Sequence, residues 1–186
     1  AELMLRSALK LFRALSADRY EAETLGTLGL LMAAQDRFSE AFDYMLRAEE
    51  IYSRIKDSEN GCFILSQKAM ILLRQNKIKE AAALARRAAA GHQTPGGQAL
   101  AAEVLARTEL AGGKWRSAAQ KAVDAAGKYF SEHNFAAGFE SLYLAAEANF
   151  RQRDFNEAET ILRGIIRKVP YHQSCFHIAD AYTLLG

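Results

Sequence analysis

Proline is nearly absent: there are two in 186 residues. Because an interior proline removes a helix hydrogen bond and clashes with the preceding turn, this scarcity leaves long helices unbroken. β-branched residues are sparse and no alternating apolar–polar pattern persists, which argues against a sheet-built fold. Only two cysteines occur, Cys62 and Cys175. A pair so widely spaced is no disulfide framework and predicts thiols in a reducing, cytoplasmic compartment. No apolar run approaches the roughly 20 residues needed to span a bilayer, so no membrane association is expected. No basic segment followed by an apolar run opens the chain. Charge of one sign is scarce too. The net charge is +2, and no like-charge block exceeds Arg86-Arg87, so nothing demands direct contact with nucleic acid. Half the residues are hydrophobic and a quarter charged, which excludes a disordered chain. The length fits one domain on a prior of roughly 100–200 residues. The first residue is Ala1, inside a helical pattern, so the chain is expected to be part of something longer.

What the sequence does have is helical periodicity, clearest between Leu25 and Ala48. Leu25, Leu28, Gly29 and Met32 fall at offsets of three, four and seven, which share one face of a helix. Ala41, Met45 and Ala48 repeat those offsets after a short polar turn, Gln35-Asp36-Arg37. An interior helical glycine costs about 1 kcal/mol against alanine, so Gly29 requires a packing reason. Small Gly29 facing small Ala41 would let two helix backbones approach closely. Phe38 opens the second helix and would cover the end of the pair.

This unit resembles the tetratricopeptide repeat (TPR), a helix–turn–helix pattern W-x2-L-G-x2-Y, A-x3-F, P on a roughly 34-residue period. Leu28, Gly29 and Ala41 match directly; Leu25, Met32 and Met45 stand for the Trp, Tyr and Phe. Degenerate copies follow. One runs through Leu65, Lys68, Ala69 and Leu72 to Ala81, Ala85 and Ala88. The next runs through Ala102, Leu105, Ala106 and Glu109 to Ala118, Ala122 and Ala125. The last runs through Leu142, Ala145, Ala146 and Asn149 to Ala158, Leu162, Ile165 and Pro170. Lys68 and Glu109 depart from the pattern, and Leu110 is expected to take the role Glu109 leaves. Trp115 occupies the slot of Phe38 and Ile78 and is read as packing. Before the first pair, Glu2 to Ser16 reads as a lone second helix, with Leu5, Ala8, Phe12 and Leu15 on one face and Ala8 matched to Ala41; after the last, Cys175 through Tyr182 to Gly186 reads as a lone first helix. The likeness implies an all-α, right-handed solenoid of about ten antiparallel helices. Approximate repeats are 1–18 (partial), 19–57, 58–94, 95–133, 134–170 and 171–186 (partial). The repeat alanines Ala41, Ala81, Ala118 and Ala158 are separated by 40, 37 and 40 residues. That excess over the family period predicts helices longer by about a turn and longer joints, as in kinesin light chains and peptide-sensing bacterial regulators. Asp18 is the expected N-cap of the first helix of the best-preserved pair. Asp57 to Gly61 and Gly91 to Gly97 are expected as turn segments.

The resemblance also implies where function lies. In this family first helices line the concave side, and the residue after the small Gly/Ala looks inward. That row is Leu30, Met70, Arg107, Glu147 and Asp180. One turn earlier come Gly26, Ser66, Glu103, Tyr143 and Phe176; one turn later come Ala34, Arg74, Ala111, Arg151 and Leu184. A groove with apolar, aromatic and Arg contacts suits a peptide. The candidate binding residues are Leu30, Met70, Arg74, Arg107, Tyr143, Glu147, Arg151 and Asp180. Glu147 and Arg151 also fit a plain surface pair. The Asn and Lys by which relatives clamp chaperone C-termini are missing from the row, which disfavours that partner.

Catalytic signals are weak. His172, Cys175 and His177 are the one soft-ligand cluster, but their offsets do not share a helical face and no fourth zinc ligand follows. His92 and His133 are expected to be solvated, and no Ser/His/Asp set converges. The expectation is therefore a non-catalytic scaffold with no cofactor and no metal, binding a protein or peptide in its groove. The alternative is the regulatory or sensor segment of a larger signalling or transcription regulator. Apolar ends, with Leu3, Met4 and Leu11 at one and Ala181, Tyr182 and Leu185 at the other, predict that further repeats, another domain or self-association covers them, since solenoids need polar caps.

Overall fold

The computed structural model describes residues 1–168. Among these there are nine helices: α1 (Glu2–Ala14), α2 (Asp18–Ala34), α3 (Phe38–Arg54), α4 (Ser58–Arg74), α5 (Ile78–Gly91), α6 (Pro95–Ala111), α7 (Trp115–Ser131), α8 (Phe135–Arg151) and α9 (Phe155–Lys168). The expected lone helix around Cys175 to Tyr182, and Pro170, lie outside the described residues. The chain divides into two compact units, Ala1–His92 and Gln93–Gly186. In each, consecutive helices pack on one another as antiparallel pairs.

The repeat length resolves into helix length. Six helices have 17 residues each. The joints between helices are only three residues, so the longer joints expected from the spacing are not formed; the excess over the family period goes into helix. Seven of these joints share one geometry. The middle residue is left-handed at Ser16, Asp36, Lys56, Asn76, Gly113, His133 and Arg153. At the α2–α3 joint the Asp36 N–H donates to the Ala33 carbonyl (3.1 Å) and the Arg37 N–H to the Met32 carbonyl (2.9 Å). These are the paired bonds of a Schellman motif, which satisfy helix-end carbonyls that would otherwise lack donors. The same residue that closes one helix opens the next, since the Arg37 carbonyl accepts from the Ala41 N–H (3.0 Å). Chain reversal is thus accomplished in three residues, at a conformational cost of about 1–2 kcal/mol for each non-glycine in the left-handed region.

The turn fixes a register that periodicity alone does not. Ser16 and Lys56 hold equivalent turn positions, 40 residues apart. Measured from them, Leu5 and Ala8 of α1 correspond to Met45 and Ala48, not to Phe38 and Ala41. The two alignments differ by seven residues, about two helical turns, so both place the same residues on the same face. Three further expectations are corrected. Asp18 is the first helical residue of α2, Ala17 is the N-cap without a side-chain bond, and Asp18 pairs with Arg54 at 2.9 Å. Ser58 to Gly61 is the first turn of α4, capped by Asp57, whose Oδ1 accepts from the Asn60 N–H (3.2 Å). Gly96 and Gly97 likewise belong to α6, with Pro95 at its start and the Thr94 hydroxyl accepting from the Gly97 N–H (3.1 Å). Turn-forming residues mark a helix start there because they supply acceptors to unpaired N–H groups.

The joint between α5 and α6 is the exception. α5 has 14 residues, and its C-cap, His92, is extended (φ −69°, ψ 128°). The three missing helical residues account for the single 37-residue spacing.

The first unit's core is built on Leu25, Leu28, Met32, Ala41, Met45 and Ala48, all fully buried. A Cβ on Gly29 would stand 2.8 Å from Met45 Cγ and 3.1 Å from the Ala41 carbonyl oxygen, which is the close approach the sequence implied. Lys68, the departure from the leucine pattern, is held by Glu49 (Nζ to Oε2, 2.7 Å). In the second unit alanine dominates: Ala106, Ala118, Ala122, Ala145 and Ala148 are fully buried, and Leu110 joins them. Glu109 turns instead to Lys121 at 3.2 Å. Trp115 packs only in part and keeps 39% of its surface exposed. No helix among the described residues is long and apolar enough to cross a membrane.

Candidate functional site

In the first unit α2 and α4 touch each other, and Gly26 and Leu30 of the row expected from sequence line a cleft there. Leu30 is 43% exposed, and Phe63 of α4, which the sequence reading missed, is 45% exposed. Beside them opens a cleft of about 270 Å³, walled by Leu30, Phe63 and Ile64 and edged by Glu23, Asn60 and Gln67. Gly26 lies in its lining, and a Cβ there would approach Ile64 Cδ1 to 3.0 Å. Tyr52 of α3 contributes to the lining from beneath and is buried. Burial, and then the Glu23 and Asp57 carboxylates, push its phenol up to about 12. Met70 is half-buried on the same helix as Phe63.

Arg74 has a structural task. Its Nη1 donates to the Ala33 carbonyl and its Nη2 to Asp36 Oδ1, both at 2.7 Å. The guanidinium also lies 5.4 Å from the centroid of Phe38. It therefore ties the end of α4 to the α2–α3 turn, and its positive charge is already engaged.

In the second unit, the corresponding row is a chain of internal bonds. The Tyr129 hydroxyl donates to Glu103 Oε2, Arg107 Nε donates to Glu103 Oε1, and Arg107 Nη2 donates to Glu140 Oε1, each at 2.9 Å. Glu103 is buried, and this carboxylate sits there because two donors compensate its lost hydration. Burial first, then Glu103, raise the Tyr129 phenol well above its usual value. Glu147 and Arg151 form the surface i,i+4 pair (Nη2 to Oε1, 2.6 Å). Tyr143 is half-buried beside Phe139 and Leu162. Asp180, Phe176 and Leu184 lie outside the described residues, as do His172, Cys175 and His177.

One histidine corrects the sequence reading. His92 is buried, not solvated: its Nδ1 lies 2.8 Å from Glu59 Oε1 and its Nε2 3.5 Å from Ser66 Oγ. The order serine–histidine–carboxylate resembles a hydrolase relay, which the sequence gave no reason to expect. Ser66, however, is itself 1% exposed, so a substrate has no approach to its hydroxyl. The arrangement serves to hold the end of α5 against α4, helped by Gly91, where a side chain would collide with the Cys62 sulfur. Cys62 is a buried thiol whose acidity burial weakens further. Other exposed apolar residues in this unit are Leu3, Met4 and Leu11 of α1, Leu15 at its C-cap, Tyr20 of α2 and Leu46 of α3.

No protein-family model matches the chain, and no curated protein does. A solved structure from Podosopora anserina, described as a kinesin light chain with nearly identical TPR-like repeats, is similar in fold. It has a TM-score of 0.62 at 15% identity, covering 88% of this chain and 85% of that one. The chain is a helical repeat protein with a TPR-like solenoid fold.

Proposed function

We propose that this chain is a non-catalytic interaction scaffold that takes a peptide or protein segment on the face formed by its first helices, in a reducing, cytoplasmic setting. The observation that carries this is the contrast between the two units. On α2 and α4, Leu30 and Phe63 stand exposed beside a cleft, with Met70 further along. On α6 and α8, Arg107 is spent on Glu103 and Glu140, and Arg151 on Glu147. Apolar and aromatic side chains that are exposed next to a concavity are the usual anchors of binding energy, whereas a rim ion pair contributes little. The first unit therefore supplies the anchor in this reading, and in the second unit Arg107, Tyr143, Glu147 and Arg151 are the candidates for polar contacts of its own.

The test is a peptide array probed with the whole chain, followed by titration of the binders. Leu30→Asp should weaken them at least tenfold, and the pair Arg107→Glu with Tyr143→Ala by less. Binders that ignore Leu30→Asp but lose affinity with the second pair would move the anchor off α2 and α4.

A further inference from the structure

The cleft between α2 and α4 has a chemistry narrower than apolar. We infer that its occupant is a peptide segment in which one large apolar side chain is flanked by lysine or arginine. This rests on the interaction reading above and specifies the partner of that same site.

Size comes first. About 270 Å³ falls below the roughly 300–1,000 Å³ typical of small-molecule pockets, so the cleft seats one anchor side chain and leaves the rest of the ligand on the surface. Leu30, Phe63 and Ile64 give that anchor apolar walls.

Charge and hydrogen bonding come second. Glu23 is the one ionised side chain in the lining; Asn60, Gln67 and Thr27 are neutral. Glu23 meets Arg19 only at 3.5 Å, with both side chains about half exposed or more, so this is a loose pair that an incoming cation can replace. Burial is the main cause of the raised Tyr52 phenol; Glu23 and then Asp57 add to it and outweigh the opposing Arg19, so the nearby field is negative on balance. Gln67 contributes a buried Oε1 that has no donor among the described residues. An acceptor in that state favours a ligand that brings an N–H. The cations of α4 are both engaged, Lys68 by Glu49 at 2.7 Å and Arg74 by Asp36 and the Ala33 carbonyl, and neither turns toward a carboxylate ligand. An acidic segment would thus meet a carboxylate and an unpaired acceptor, and a basic one would satisfy both.

The experiment uses three labelled nine-residue peptides with a central leucine, flanked by lysine, serine or glutamate, titrated by fluorescence polarisation against the whole chain at low salt. The lysine peptide should bind at least tenfold more tightly than the glutamate peptide. Glu23→Gln should remove most of that difference and Glu23→Lys should reverse it, with far-UV circular dichroism unchanged because Glu23 is exposed. Gln67→Leu should weaken the lysine peptide severalfold. Equal binding of all three, with each abolished by Leu30→Asp, would overturn the basic preference and leave the cleft as the anchor site. Binding of all three that is indifferent to Leu30→Asp would overturn the interaction reading of this face as well. Concentration-dependent dimerisation abolished by Leu30→Asp would make a second copy the occupant, and would also overturn the inference.

Discussion

Gly29 offers the sharpest test of how the helix pairs pack. Replacing it by alanine adds one methyl group in mid-helix. On propensity alone the change stabilises by about 1 kcal/mol. The structure opposes this, because the new Cβ would lie 2.8 Å from Met45 Cγ and 3.1 Å from the Ala41 carbonyl oxygen. The carbonyl belongs to the backbone of α3 and cannot swing away, so either Met45 leaves its rotamer or the helices separate. Overpacking of this kind costs about 1–3 kcal/mol. Gly61 provides the control in the same unit: a Cβ there meets only Tyr52 Cβ at 3.9 Å, an ordinary contact. Urea unfolding followed by circular dichroism should find Gly61→Ala neutral to stabilising and Gly29→Ala less stable than it by roughly 1–3 kcal/mol. Adding Met45→Ala should make the two substitutions at this contact strongly non-additive, since the smaller residue vacates the space the new methyl needs. If Gly29→Ala proves as stabilising as Gly61→Ala, the close crossing of α2 and α3 is wrong.

Two further outcomes follow from the joints and from Tyr52. Lys56→Gly and Arg153→Gly should each raise stability, by up to about 1 kcal/mol, and Gly113→Ala should lower it, because these residues hold the same left-handed turn position; thermal melts would show the opposite signs. Tyr52 titrates near 10 when unfolded but at about 12 in the fold, because burial, helped by Glu23 and Asp57, disfavours the phenolate. The stability it contributes is full below pH 10 and falls as pH rises toward 12, by up to roughly 2–3 kcal/mol. Tyr52→Phe should flatten that fall in alkaline unfolding curves; an equally steep fall would place the cause elsewhere.

Much of the architecture was readable because it rests on periodicity. Ala41, Ala81, Ala118 and Ala158 recur at the same depth in successive second helices, and each is buried. Gly29 announced a close approach through its cost. The joints were less readable. Ser16, Lys56 and Arg153 adopt a left-handed conformation that their side chains do not favour, and Asp57, Ser58 and the glycines after Pro95 serve helix starts as readily as turns. The alignment of α1 slipped by two turns for the same reason: a shift of seven residues preserves the face. In the candidate site, Leu30 could be found by its offset from Gly29, but Phe63 and Gln67 had no pattern to single them out. Arg74 and Arg107 read as available charges, and only their partners show that they are engaged.

The sequence by itself determined that the chain is helical, that its helices come in pairs, and which side of each helix is buried. These follow from spacing along one helix, a local property that needs no neighbour to define it. Only the tertiary structure decided which inward residues remain available. That depends on groups far apart in sequence meeting across helices: Arg74 with Asp36, Arg107 with Glu140, and His92 with Glu59 and Ser66. Burying or pairing a charge is a matter of geometry between elements, and no periodicity encodes it.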